Sequence, residues 1–148
     1  MSRDSDRPHL SDTRHATSIA IDAYGILITG ASGSGKSALA LELIARGAAL
    51  ISDDMTVIER GDEGWPILTG PGRMQGVIEA RGVGLLQVPH VPRAALRLVV
   101  DMDTVETARL PERREIVMAG TAVPLLHKVD SSHFPAAIWS LAKGGRMS

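Results

Sequence analysis

Eight residues, Gly30-Ala31-Ser32-Gly33-Ser34-Gly35-Lys36-Ser37, constrain what this chain can fold into more than any other feature. They match Gly-x-x-x-x-Gly-Lys-Ser/Thr at every fixed position, and a chance match in a chain this long is on the order of one in a hundred. Glycines let consecutive backbone N–H groups turn inward as an anion-binding nest, and a helix starting there adds its positive end. Lys36 is then within reach of β- and γ-phosphates, and the Ser37 hydroxyl can ligate Mg²⁺. The cradle as a whole, Gly30, Ala31, Ser32, Gly33, Ser34, Gly35, Lys36 and Ser37, is the candidate ATP site.

The flanks agree with this reading. Ile26, Leu27 and Ile28 form a short apolar run ending in the glycines, which predicts a buried strand. From Lys36 to Arg46, Leu39 with Leu43 and Ala40 with Ile44 recur at helical spacing, and Gly47 is a natural stop. Leu50-Ile51 predicts a second strand ending in Ser52-Asp53-Asp54. Strand, loop, helix and strand imply a parallel pair joined by a crossover, with the paired acids beside the phosphate-loop strand. One carboxylate could hold the metal, directly or through water, while the other accepts a proton from an attacking hydroxyl.

Farther along, Met55 to Arg60 and Pro66 to Thr69 flank Gly61-Asp62-Glu63-Gly64, the pattern of a hairpin. Gly70 to Gly84 is rich in glycine and predicts an irregular segment. Ala95 to Val100 predicts a strand and Pro135 to Lys143 a final helix with proline in its first turn. The expected fold class is therefore α/β, a single P-loop kinase domain whose mixed β-sheet is flanked by helices. Residues 1–13 are expected as a flexible tail and residues 14–148 as the domain.

Composition narrows the function classes. With no cysteine among the 148 residues, thiol catalysis, disulfides and zinc–thiolate sites are excluded. The net charge of −1 and the scattered Lys and Arg leave no basic stripe for nucleic acid. No apolar run approaches the ~20 residues that span a bilayer, and Met1 to Thr13 has no apolar core of a secretory signal, so a cytoplasmic protein is expected.

The stretch His15 to Asp54, with YGILITGASGSGKSALALELIARGAALISDD at its heart, resembles the catalytic domain of HPr kinase/phosphorylase. Ala40-Leu41-Glu42-Leu43, Arg46-Gly47 and Asp53-Asp54 carry the likeness. So does VIEARGVGLLQV, Val77 to Val88, which resembles the family's Glu-x-Arg-Gly-x-Gly segment. The resemblance implies a fold of the HPr kinase and PEP carboxykinase type. It also implies an ATP- and Mg²⁺-dependent protein serine kinase that phosphorylates the phosphocarrier HPr and so regulates the phosphotransferase system. His15 resembles the family's catalytic histidine and Lys36 its phosphate-binding lysine. Asp54, with Asp53 beside it, resembles the base that deprotonates the target serine. Ser37, Asp53 and Glu79 are the metal set so implied, and Arg109 resembles a later arginine that stabilises charge on the transferring phosphoryl group. The family assembles as a homo-hexamer, so a homo-oligomer is expected.

Three departures are visible. The family's usual N-terminal domain is expected to be missing, because the chain resembles the short forms of alphaproteobacteria. Ala38 replaces the usual acid after Lys-Ser. Val123-Pro124-Leu125-Leu126-His127-Lys128 matches poorly the family's arginine-containing segment that serves phosphoserine dephosphorylation, so a weak reverse reaction is expected. Two other readings stand beside the kinase of HPr: a small-molecule P-loop kinase, and an ATP-sensing module without catalysis. A GTPase is disfavoured because His127 stands where a guanine-reading Asn-Lys-x-Asp needs asparagine.

Overall fold

The computed structural model describes residues 11–61, 63–72 and 75–147. The elements in chain order are β1 (Ser11–Arg14), β2 (Ala16–Ile21), β3 (Tyr24–Thr29), α1 (Lys36–Ala45), β4 (Ala49–Ser52), β5 (Thr56–Glu59), β6 (Ile67–Thr69), β7 (Val77–Ala80), β8 (Gly84–Gln87), β9 (Arg93–Val105), β10 (Arg114–Met118), β11 (Thr121–Lys128) and α2 (Phe134–Gly144). Among the described residues nine strands form one mixed sheet, and β7 and β8 make a separate two-stranded hairpin. This is the mixed α/β architecture expected from the sequence.

The apolar runs explain the layers. In β3, Ile26 and Ile28 point to a cluster with Leu39, Ala40, Leu43 and Ile44 of α1, while Leu27 points to the opposite face. That alternation buries the strand on both sides. Helix α1 ends where Gly47 adopts φ 120°, a left-handed conformation that costs a side-chain-bearing residue dearly. The Gly47 N–H then reaches Ile44 O and the Ala48 N–H reaches Leu43 O, closing a Schellman cap. Phe134 and Ile138 of α2 close over the same cluster.

The second face is covered by the sheet itself. Strands β5 and β6 lie at one flank of the order and β2 and β4 at the other. Yet Thr56 Oγ1 donates to Ala16 O at 2.9 Å and accepts from Ser18 Oγ at 2.8 Å, so the sheet curls until its flanks meet. Both hydroxyls are buried and satisfied, as burial of polar groups requires.

Four expectations are corrected. The strand ending in Asp53 does not pair with the phosphate-loop strand, because β2 lies between β3 and β4 and runs antiparallel to both. The two remain parallel in direction, but the intervening strand precedes the phosphate loop in sequence, which a local pattern does not show. Ser11 to Thr13, expected as tail, pair with β5; residues 1–10 lie outside the described ones. The glycine-rich segment is not wholly irregular, since Val77–Ala80 pairs with Gly84–Gln87 around a glycine turn. Finally, β10 and β11 form a hairpin where no element was expected, and β11 joins β9 in parallel. Among the described residues no helix is long and apolar enough to cross a membrane.

Candidate active site

Strand β3 delivers the chain to Gly30, and the loop to Gly35 runs through φ values of 147°, 85° and 102° at its three glycines. Gly35 is the N-cap of α1, so the helix begins at Lys36 and its free N–H groups face the loop. Lys36 Nζ donates to Gly30 O at 2.7 Å and to Ala31 O at 3.1 Å. The ammonium thus rests on the loop it would leave for a phosphate.

The acids directly follow β4. Asp53 is held by three donors: Ser37 Oγ at 2.8 Å and Thr17 Oγ1 at 3.1 Å on Oδ1, and the Glu79 N–H at 3.1 Å on Oδ2. Each comes from a different element, α1, β2 and β7, so Asp53 ties together three walls of one cavity of about 950 Å³. Asp54, next in the chain, is exposed and makes no hydrogen bond among the described residues. Its φ of 71° is unusual for any residue but glycine, though Asp tolerates it better than most. That backbone turn brings to one cavity two adjacent carboxylates that a continuing strand would have aimed at opposite faces. Both line the cavity, as do Lys36, Ser37 and Glu79.

Two expected site residues are not brought there. His15 is exposed in the bend between β1 and β2, and Arg109 is exposed in the connection between β9 and β10. Neither lines the cavity. Segment Val123 to Lys128 is β11, whose Leu125 and Leu126 pack against the two cores rather than facing the cavity. Thr17, by contrast, was not foreseen. Only the pairing of β2 with β4 puts it against Asp53, and nothing in the sequence around it marks a functional threonine.

A second polar cluster organises the connection that carries Arg109. Glu106 accepts the N–H groups of Thr107 and Ala108, each at 3.1 Å, and Arg114 Nη2 at 3.1 and 3.2 Å. The Ala108 N–H, followed by Arg114, holds its carboxyl below the ordinary range. Across the sheet end, Tyr24 lies under Arg97, whose guanidinium is 4.3 Å from the Trp65 ring centroid; burial pushes the Tyr24 hydroxyl up.

The donor set suits a hard divalent cation. A serine hydroxyl and a carboxylate beside a phosphate-binding loop match Mg²⁺, which keeps several waters and takes one or two protein carboxylates. Among the described residues no group of three or more His, Cys, Asp or Glu is gathered. Ser37 and Asp53 would hold it, with Glu79 at the cavity wall.

The chain is 34% identical over 122 residues to HPr kinase/phosphorylase of Limosilactobacillus reuteri, a match covering 74% of this chain and 38% of the relative. It is 37% identical over 107 residues to the same enzyme of Neisseria meningitidis, covering 62% of this chain and 31% of the relative. The chain thus spans less than half the length of the curated relatives it matches. Among solved structures, the Hpr(Ser) kinase/phosphatase from Coxiella burnetii superposes with a TM-score of 0.75 at 27% identity, covering 92% of this chain and 97% of that one. The model of the HPr Serine kinase C-terminal domain matches residues 9–121, so the chain belongs to that family.

Proposed function

We propose that this chain is the catalytic unit of an ATP-dependent protein serine kinase acting on an HPr-type phosphocarrier. The observation that carries this is the division of labour between Asp53 and Asp54. Asp53 is fixed by Ser37, Thr17 and the Glu79 N–H, with acceptor capacity left on Oδ2, which suits a group that holds a metal. Asp54 stands beside it, unbonded, exposed and on the cavity wall, which suits a group that takes a proton. A module that only sensed ATP would need the first and not the second.

The chemistry follows from the placement. The phosphate loop and Lys36 bind the triphosphate and neutralise charge on its outer phosphates. Ser37 and Asp53 would hold Mg²⁺, which when bound would supply charge screening for the phosphates. The acceptor's seryl oxygen attacks the γ-phosphorus in line, the bond to the β-phosphate oxygen breaks, ADP leaves, and the seryl proton passes to the Asp54 carboxylate. Positioning and fixed charge supply most of the rate in such transfers. We assign His15 and Arg109 supporting roles only, since both stand away from the cavity lining. The forward reaction is the favoured direction, because the segment around Leu125 and Leu126 is turned into the cores. A cytoplasmic homo-oligomer, with the catalytic unit starting near the first strand, completes the reading.

The test is transfer of labelled γ-phosphate from ATP with Mg²⁺ to a purified HPr-type protein, with peptide mapping of the product. Label on a single serine is expected. Nucleotide binding with no transfer to any HPr-type protein would overturn the reading.

A further inference from the structure

The peptide unit joining Gly30 to Ala31 is gripped at both ends. Its carbonyl oxygen accepts Lys36 Nζ at 2.7 Å, and its N–H donates to both carboxylate oxygens of Asp103, at 2.9 and 3.1 Å. Asp103 lies near the end of β9, the strand directly beside β3 in parallel register. It is itself positioned by Asp101, whose Oδ1 accepts the Asp103 N–H at 2.8 Å and whose Oδ2 accepts Thr104 Oγ1 at 3.0 Å. Asp101 is paired with Thr29, the last residue of β3. The anchor therefore reaches the loop from β9, the parallel neighbour of the strand that carries it.

The two grips differ in what becomes of them on loading. A triphosphate draws Lys36 away from Gly30 O, because the ammonium serves the outer phosphates. That leaves Asp103 as the hold on this peptide at the moment when the glycine loop must keep its N–H groups convergent. Glycine-rich backbone has the most freedom to lose, so an external anchor at its entrance has the most to contribute. Resting on the kinase reading above, we propose that Asp103 is a positioning residue that keeps the phosphate loop open and oriented for nucleotide through the Ala31 N–H, without touching the substrate.

The test compares Asp103→Ala and Asp103→Asn with the unaltered chain, using a fluorescent N-methylanthraniloyl ATP with Mg²⁺ and steady-state transfer to HPr-type protein. Loss of a charge-assisted hydrogen bond near solvent is expected to weaken nucleotide binding and raise KM for ATP about tenfold in the Ala variant. The Asn variant keeps one oxygen for the Ala31 N–H and is expected within about threefold of the unaltered chain. Because Asp103 is exposed, the melting temperature of the nucleotide-free Ala variant should move little, which a merely structural role would not allow. Faster exchange of the Ala31 amide in the Ala variant alone would support the contact directly. Unchanged or tighter binding in the Ala variant, or an Asn variant as impaired as Ala, overturns the proposal. An unaltered chain that binds no nucleotide overturns the kinase reading and the proposal together, whereas normal binding by that chain and by the Ala variant overturns the proposal alone.

Discussion

Replacing Asp53 with alanine is the perturbation that separates a bonded carboxylate from a merely conspicuous one. Three donors lose their acceptor. The Thr17 side chain belongs to a fully buried residue, so its hydroxyl is the donor least able to find water, and an unsatisfied buried donor costs about 1–3 kcal/mol. Ser37 Oγ and the Glu79 N–H face the cavity and can be solvated, so each loses roughly 0.5–1 kcal/mol. Against this, removing one of three neighbouring carboxylates relieves repulsion. Asp54 and Glu79 are exposed, however, and that relief is screened by solvent and salt. The hydrogen bonds win, and the net loss is about 3 kcal/mol, or a fall of roughly 6–12 °C in Tm for a chain of this size. Asp53→Asn keeps Oδ1 for the two hydroxyls but turns an NH₂ toward the Glu79 N–H, so its Tm should fall by less while phosphotransfer is lost in both variants. Calorimetry of the nucleotide-free protein and a transfer assay read the two effects separately. A Tm for Asp53→Ala within 2 °C of the unaltered chain, or above it, would mean that the carboxylate does not hold these three elements together.

Other outcomes follow from the same geometry. Lys36→Ala is expected to lower transfer roughly 10²-fold or more, since a preorganised charge on the phosphates is removed; near-normal turnover would dissociate the loop from the chemistry. Asp54→Asn should abolish transfer with nucleotide affinity nearly unchanged, because Asp54 is exposed and makes no hydrogen bond to the described residues of the loop, and fluorescence titration beside the transfer assay checks both. Glu106 has a carboxyl pKa below its ordinary 4.5, so its stabilising contribution is complete above that value and is lost as pH falls through the lowered one. Glu106→Gln should therefore destabilise the protein at neutral pH and flatten the acid limb of Tm against pH; parallel curves for the two proteins would remove the carboxylate from the argument. Phosphorolysis of serine-phosphorylated HPr-type protein, followed as pyrophosphate release, should run far slower than forward transfer.

The parts of this molecule legible in the sequence are those whose cause is local. The phosphate loop, the helix behind it and the hairpin of β5 and β6 each announce themselves within a dozen residues, through glycine spacing, a 3.6-residue repeat or a turn signal. The acidic pair was legible as chemistry, and Asp53 does meet Ser37. What stayed hidden depends on strand partners chosen across the chain. Inserting β2 between β3 and β4 brings Thr17 to the site, and the pairing of β9 with β3 brings Asp103 to Ala31. The acid-rich end of Leu98-Val99-Val100-Asp101-Met102-Asp103 was a visible signal, an apolar strand running into carboxylates, but its address required the topology. Likewise Gly82, read as irregularity, lies in the turn of the β7–β8 hairpin, and Gly84 opens β8.

The two-residue connection Asp22-Ala23 lies at the end of the sheet opposite the phosphate loop, with Asp22 at φ 53° and Ile21 paired to Tyr24. A turn that short sets the frame of the whole β2–β3 hairpin. Thr17 faces Asp53, whereas its neighbour Ser18 faces Thr56. One extra residue in that remote turn, with β3 fixed by β9, would shift β2 by one step and exchange the two faces. Ser18 would then be offered to the acid and Thr17 to the far flank. The turn acts as a ruler for the nucleotide site, and its length is a functional quantity although no residue in it comes near a phosphate.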